Sequence, residues 1–241
     1  MTVTFKGRTQ CVYCDQIATT MDHVPPKCFF TPPMPRNLVT VPACAACNNG
    51  ASNDDAEFRN QLYLMTGSFG ESANAAGLRG PSLRAIRRDR RALARTVRGA
   101  RLIGRYSKGG IFLGWGVAVP APPEARERVL IRIVRGLVWH HFCIRVNASC
   151  VGIIHIDKSK PTWQQTLDEF PSKPDQCGRI GDGATFEYRY TGDDDPTMSA
   201  WLMTFFRGPS AYIVIGHTIR DGGAQNPSIR DVSLPVSTSE Y

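Results

Sequence analysis

Acidic residues are almost missing from one stretch of this 241-residue chain. Residues 78–108 hold ten arginines and one lysine against a single acid, Asp89. That stretch carries +10 in a chain of net charge +8, so the remainder sums to −2. Charge runs on solvated faces usually mix both signs. A one-signed run in a near-neutral chain points instead to a polyanion partner. No aromatic ring interleaves with the arginines at 84–98, so the run does not read as a stacking platform for single-stranded bases. No stretch approaches the roughly 18 apolar residues of a membrane span. The N-terminal MTVTFKGRTQ lacks the apolar core of a signal peptide. These absences lead us to expect a cytoplasmic protein with no membrane contact. No internal repeat is present, which excludes a solenoid or propeller.

Cysteine is not scarce. Four of the eight cysteines form two Cys-x-x-Cys pairs, Cys11/Cys14 and Cys44/Cys47. In a reducing compartment such pairs read as metal ligands, and no thioredoxin-like context surrounds either one. Two knuckles provide the four soft ligands of a tetrahedral structural zinc. The 29 residues between them exceed a compact zinc-ribbon spacing, so something is held between the knuckles. Cys28, Cys143, Cys150 and Cys177 are scattered and read as small buried hydrophobes.

The length allows more than one unit, and we expect an α+β chain in three parts. Residues 1–70 form a small zinc-stabilised module: a knuckle, a Pro-rich loop, a strand at NLVTVP, the second knuckle, then a helix. Ser52 with Asp55 three residues on resembles a capping box for that helix. Residues 71–110 are a linker, with the Gly/Ser/Ala-rich 67–80 as its loop, followed by an arginine-rich helix with Pro81 in its first turn. Arg84, Arg87, Arg88, Arg91, Arg95 and Arg98 would line about half of that helix and contact nucleic-acid phosphates, each neutralised phosphate steepening the salt dependence. Residues 111–241 form an α+β domain with an antiparallel sheet. It follows on a strand in GGIFLGWGVAVPAPP that ends at a proline stop, and holds an amphipathic helix from Pro123 with Val129, Ile133, Leu137 and Val138 or Phe142 buried, and β-rich runs CVGIIHI, ATFEYRYT, SAWLMTFF and AYIVIGHT. RGPS joins the last two as a hairpin connection, and the polar tail from DGGAQNPS is weakly ordered. His140 and His141 sit beside Trp139 with no carboxylate or cysteine cluster nearby, so they read as packed or helix-surface histidines, as do His155 and His217.

Between the knuckles lie Asp22-His23, ahead of two prolines, and Asn37; Asn48 follows the last cysteine. Taken in order, CVYC, DHVPP, NLVTVPAC and CAACNN resemble the HNH endonuclease family, whose core is the ββα-metal fold. The resemblance spans residues 9–60. It implies hydrolysis of phosphodiester bonds in DNA, with His23 activating water, Asp22 and Asn48 binding metal, and the Asn37 amide bracing the loop that carries the histidine. Imidazole suits a base working near neutral pH. With only oxygen ligands from Asp22 and Asn48, the catalytic ion would be Mg²⁺ or Mn²⁺. Adjacent strand residues face opposite ways, so the proline turn would have to bend the backbone for Asp22 and His23 to meet. The lysine many members carry shortly after the last cysteine is replaced by Ala51 and Ser52, leaving Arg59 or Lys27 to serve.

Two rivals accompany the nuclease reading. One is a non-catalytic, zinc-stabilised nucleic-acid-binding protein. The other is a defence or toxin nuclease released by a partner that engages the C-terminal domain. RNA is not excluded as the polyanion, and cutting both strands with one site per chain would favour a homodimer.

Overall fold

A computed structural model of the chain describes residues 9–65, 73–90, 94, 98–107, 109–118, 123–156, 163–171, 173–192, 197–207 and 211–219. Its architecture is α+β with antiparallel sheets. A tight loop closed by a Gln10–Ile17 bridge leads into β1 (Thr20–Val24) and β2 (Val39–Ala43), which pair antiparallel. Two helices follow, α1 (Ala45–Gly50) and α2 (Ser52–Met65). Next come α3 (Ala73–Arg88) and a two-stranded hairpin of β3 (Arg101–Tyr106) and β4 (Phe112–Ala118). Helix α4 (Pro123–Phe142) is the longest element. The chain ends in β5 (Val151–His155), the short α5 (Trp163–Asp168), β6 (Cys177–Ile180), β7 (Phe186–Gly192), β8 (Ser199–Phe205) and β9 (Tyr212–Thr218). The five strands make one antiparallel sheet in the order β5-β9-β8-β7-β6.

Helix α4 joins the two ends of the chain. Val129, Leu130, Ile133, Val134, Leu137 and Val138 recur at helical spacing and are all buried. One side lies against β1 and β2, the other against β5 and β9. Two glycines permit this closeness. A Cβ at Gly136 would run into Val24 of β1, and one at Gly216 of β9 would run into Val134. Phe29 and Phe58 from the N-terminal part make edge-to-face contacts with Phe205 of the sheet, and Phe58 also meets Tyr212. One buried cluster therefore runs from Val12 to Val214. The segments expected as separate N- and C-terminal units share this core.

Most expected strands and the amphipathic helix lie where the sequence pattern put them. Three local expectations differ. Residues 73–80, expected as linker, are the first half of α3, and Pro81 sits inside that helix rather than in its first turn. Small residues here serve packing: a Cβ at Gly77 would collide with Thr31, and Leu78 and Ser82 are buried. Ser52 is not a capping residue. Its hydroxyl donates to Asn49 O, and Asp55 N bonds Ala51 O, so α2 carries on from α1 with a break at Ala51. Residues 101–106, expected as the end of a helix, form β3. Among the lone cysteines Cys150 is buried as expected, but Cys143 is exposed, at the turn that ends α4. The tail beyond 219, part of the RGPS connection, and Arg91 and Arg95 lie outside the described residues.

Candidate functional site

The two Cys-x-x-Cys pairs converge. The sulfurs of Cys11, Cys14, Cys44 and Cys47 all lie within 4.8 Å of one another. Cys14 Sγ is 3.7 Å from Cys44 Sγ and 3.6 Å from Cys47 Sγ. A tetrahedron with Zn–S bonds of about 2.3 Å has edges of about 3.8 Å, so the donor set fits zinc. Backbone amides support the sulfurs: Tyr13 N–H donates to Cys11 Sγ and Cys47 N–H to Cys44 Sγ, both at 3.4 Å. The Cys47 amide is the main reason the Cys44 thiol is lowered to about 7. Cys44 is also the N-cap of α1, so the second knuckle fixes where that helix starts. The first knuckle is tied to the same strand through Val12 N–H to Pro42 O. The four cysteines thus gather the start of β1 and the end of β2 at the open end of the hairpin.

His23 and Asp22 occupy opposite faces of β1. The burial alternates, with Asp22 and Val24 inward and His23 half-buried, as the pleat requires. His23 stands opposite Thr40 on β2. Burial lowers its pKa below the usual 6.5, and the nearby cation Lys27 adds to this against the pull of Asp22. The imidazole is therefore neutral at pH 7, with Lys27, an exposed cation, close by.

Asp22 is committed elsewhere. Its Oδ1 accepts from His23 N–H at 2.9 Å, and its Oδ2 accepts from Arg132 Nη2 at 2.6 Å. Arg132 Nη1 donates to Asp55 at 3.0 Å, while Arg128 grips Asp54 through two 2.7 Å bonds. Burial works against the Arg132 charge, and Asp22 and Asp55 overturn it, so the guanidinium is held charged. Burial pushes the Asp55 carboxyl up to about 6 in spite of Arg132. Asn48 donates its Nδ2 to Met21 O at 3.1 Å and Thr20 Oγ1 at 3.0 Å, tying α1 to β1. Asp22 thus places one oxygen on the His23 amide and the other on Arg132, while both Asn48 bonds run through its amide nitrogen. The four cysteines are the one cluster of three or more His, Cys, Asp or Glu ligands among the described residues. A Mg²⁺ or Mn²⁺ ion on Asp22 and Asn48 would have to share the Asp22 carboxylate with Arg132.

Asn37 does bridge backbone groups, but not those of the His23 loop. Its Nδ2 donates to Arg179 O at 2.6 Å and its Oδ1 accepts from Gly181 N–H at 3.0 Å. Arg179 is in β6 and Gly181 opens the turn to β7, so Asn37 pins the N-terminal part to the sheet. It also precedes the second strand, which begins at Val39. Of the expected phosphate-contacting arginines, Arg84, Arg87, Arg88 and Arg98 are exposed. His141 is packed among Tyr188, Tyr190 and Trp201, as a core histidine.

Reasoning from sequence missed the arginines of α4 and its exit. Arg132 and Arg135 both sit over the Tyr13 ring, at 5.4 Å and 5.5 Å. Arg135 donates to Val12 O and Val146 O, and Arg145 to Asp15, Gln10 and Cys14 O. Together they clasp the first knuckle. The one available signal was the i, i+4 pair Arg128/Arg132 facing the neighbouring acids Asp54-Asp55. No family model, curated protein or solved structure matches this chain.

Proposed function

We propose that this chain is a zinc-stabilised, HNH-type endonuclease that hydrolyses phosphodiester bonds in DNA, with His23 as general base. The observation that carries the reading is the state of His23. It is a half-buried imidazole with a pKa lowered by burial, on a hairpin whose open end is gathered by a four-cysteine cluster, with the Lys27 cation nearby. A rigidly held imidazole that burial keeps in its neutral, proton-accepting form suits activation of water. In this reading His23 takes the proton as water oxygen bonds to phosphorus. The P–O3′ bond breaks and the leaving oxygen is protonated from solvent. Lys27, the exposed cation whose charge is felt at His23, would meet charge on the phosphate. The exposed arginines of α3 hold the backbone at a distance from the reaction. Zinc on the four cysteines supplies structure only: it holds β1, β2 and α1 in one piece.

Cleavage of a labelled DNA duplex as a function of pH tests the proposal. Because His23 must be neutral and burial lowers its pKa, the rate should hold through the ordinary imidazole range and fall only at lower pH than a free histidine would give. His23→Ala should remove the activity while leaving the zinc content unchanged. A second reading is favoured by the Asp22–Arg132 pair, which occupies the carboxylate a nuclease of this type would use. In that reading the protein binds nucleic acid without cutting it, and His23→Ala leaves both affinity and biological effect intact.

A further inference from the structure

The β3–β4 hairpin is built unlike the rest of the molecule. Neither strand joins another sheet, and neither contributes a residue to a buried cluster among the described residues. Yet it carries large apolar side chains in the open. Leu102, Tyr106 and Trp115 are 67%, 63% and 67% exposed. Register explains why they gather. Gly104 pairs with Trp115 and Tyr106 with Phe112, and directly paired residues share a face. A bulge at Arg105/Tyr106, with Gly114 at a φ of 115°, brings Phe112 and Trp115 onto that face together. Tyr106, Phe112 and Trp115 then form a continuous edge-to-face row, each ring 5.5 Å from the next. Gly104 is needed for it, because a Cβ there would lie 2.9 Å from the Tyr106 ring.

An exposed apolar patch of this kind marks a binding surface, and the charge around it selects the occupant. Between Asp89 and Glu124 the chain has seven basic residues and no acid. Arg98 and Arg101 flank the hairpin and are exposed. Two copies packed through this face would bring like charges together, which costs affinity. Aromatic rings standing in a basic field are instead how unpaired nucleotides are held: rings stack on bases while cations follow the phosphates. We propose that the β3–β4 hairpin is a stacking platform for single-stranded DNA, with Tyr106 and Trp115 taking successive bases and Arg101 with the α3 arginines taking the backbone. This deepens the nucleic-acid part of the proposed function and does not depend on catalysis. It directs the protein to unpaired or partly opened DNA.

The test compares binding of the full chain to an oligo(dT) strand of about twenty nucleotides and to a duplex of equal length, by fluorescence anisotropy, where each stacked base matters measurably. Tyr106→Ala with Trp115→Ala should weaken strand binding by roughly tenfold or more per ring, and leave duplex binding nearly unchanged. Trp115→Phe, which keeps a ring, should retain most of the strand affinity. These residues are exposed, so zinc content and melting should match the wild type. Unchanged strand affinity in the double variant would overturn the proposal. So would an equal loss on strand and duplex, or an effect confined to oligomeric state. His23→Ala should bind the strand like wild type, so failure of the platform and failure of the nuclease reading are told apart.

Discussion

Replacing Arg132 by methionine should be among the most damaging single changes outside the zinc ligands. Arg132 bridges Asp22 at 2.6 Å and Asp55 at 3.0 Å, and its side chain is only 15% exposed. Methionine keeps an unbranched side chain of similar length but leaves the Asp22 and Asp55 carboxylates without their cation. Removing one partner of a buried ion pair costs about 3–5 kcal/mol, whereas an exposed pair contributes roughly 0.2–1 kcal/mol. The larger figure applies here, because Asp22 is 5% exposed and faces the core. In urea unfolding followed by circular dichroism, that loss shifts the midpoint by about 1–2 M. The pH dependence has a definite sign. Burial already pushes Asp55 up to about 6 against the lowering by Arg132, so loss of Arg132 raises it further. A raised carboxyl pKa means that the folded state binds more protons, so the penalty should shrink from about pH 7.5 to about pH 5. A loss under about 1 kcal/mol, or a penalty that ignores pH, would refute the account of this network.

The zinc account predicts one zinc per chain by elemental analysis and a large fall in melting temperature on chelation or on Cys44→Ser, since metal binding here is folding energy. The shared core predicts that residues 1–70 expressed alone will not fold stably even with zinc, because Phe29 and Phe58 lose Phe205 and Tyr212; loss of near-ultraviolet ellipticity reports it. In the full chain Phe58→Ala should cost about 3–5 kcal/mol in chemical unfolding. Burial lowers His141 to about 4. A depressed histidine gives stability that is complete above the unfolded value near 6.5 and is lost as pH falls toward 4, so His141→Phe should flatten the acid limb of a stability profile.

Local chemistry was legible in the sequence where it depended on short spacing. The Cys-x-x-Cys pairs come together as four sulfurs, and the period of Val129, Ile133 and Leu137 marks the buried side of α4. The alternating runs mark four of the sheet strands, and the Asp22-His23 alternation holds in β1. What depended on distant partners was not legible. Nothing near Asp22 announces that Arg132, 110 positions away, will take its carboxylate. Nothing near Asn37 points to Arg179 and Gly181. The Gly/Ala-rich 73–80 reads as a linker until Thr31 supplies a surface that only small residues can approach. Strand β3 was masked by the arginines before it, whose charge pattern fits a helix equally well. Its exposed rings show a basic region with aromatic company after all, just beyond the 84–98 run where none interleaves.

The most direct test of the nuclease claim is conversion of supercoiled plasmid to nicked or linear DNA by zinc-loaded wild type and by His23→Ala, each with Mg²⁺, Mn²⁺ or EDTA. The account predicts cleavage by the wild type and none by the variant, at equal zinc content and equal affinity for the plasmid. Equal cleavage by both proteins, or binding by both with no cleavage under any of the three conditions, would contradict His23 as the base of a nuclease.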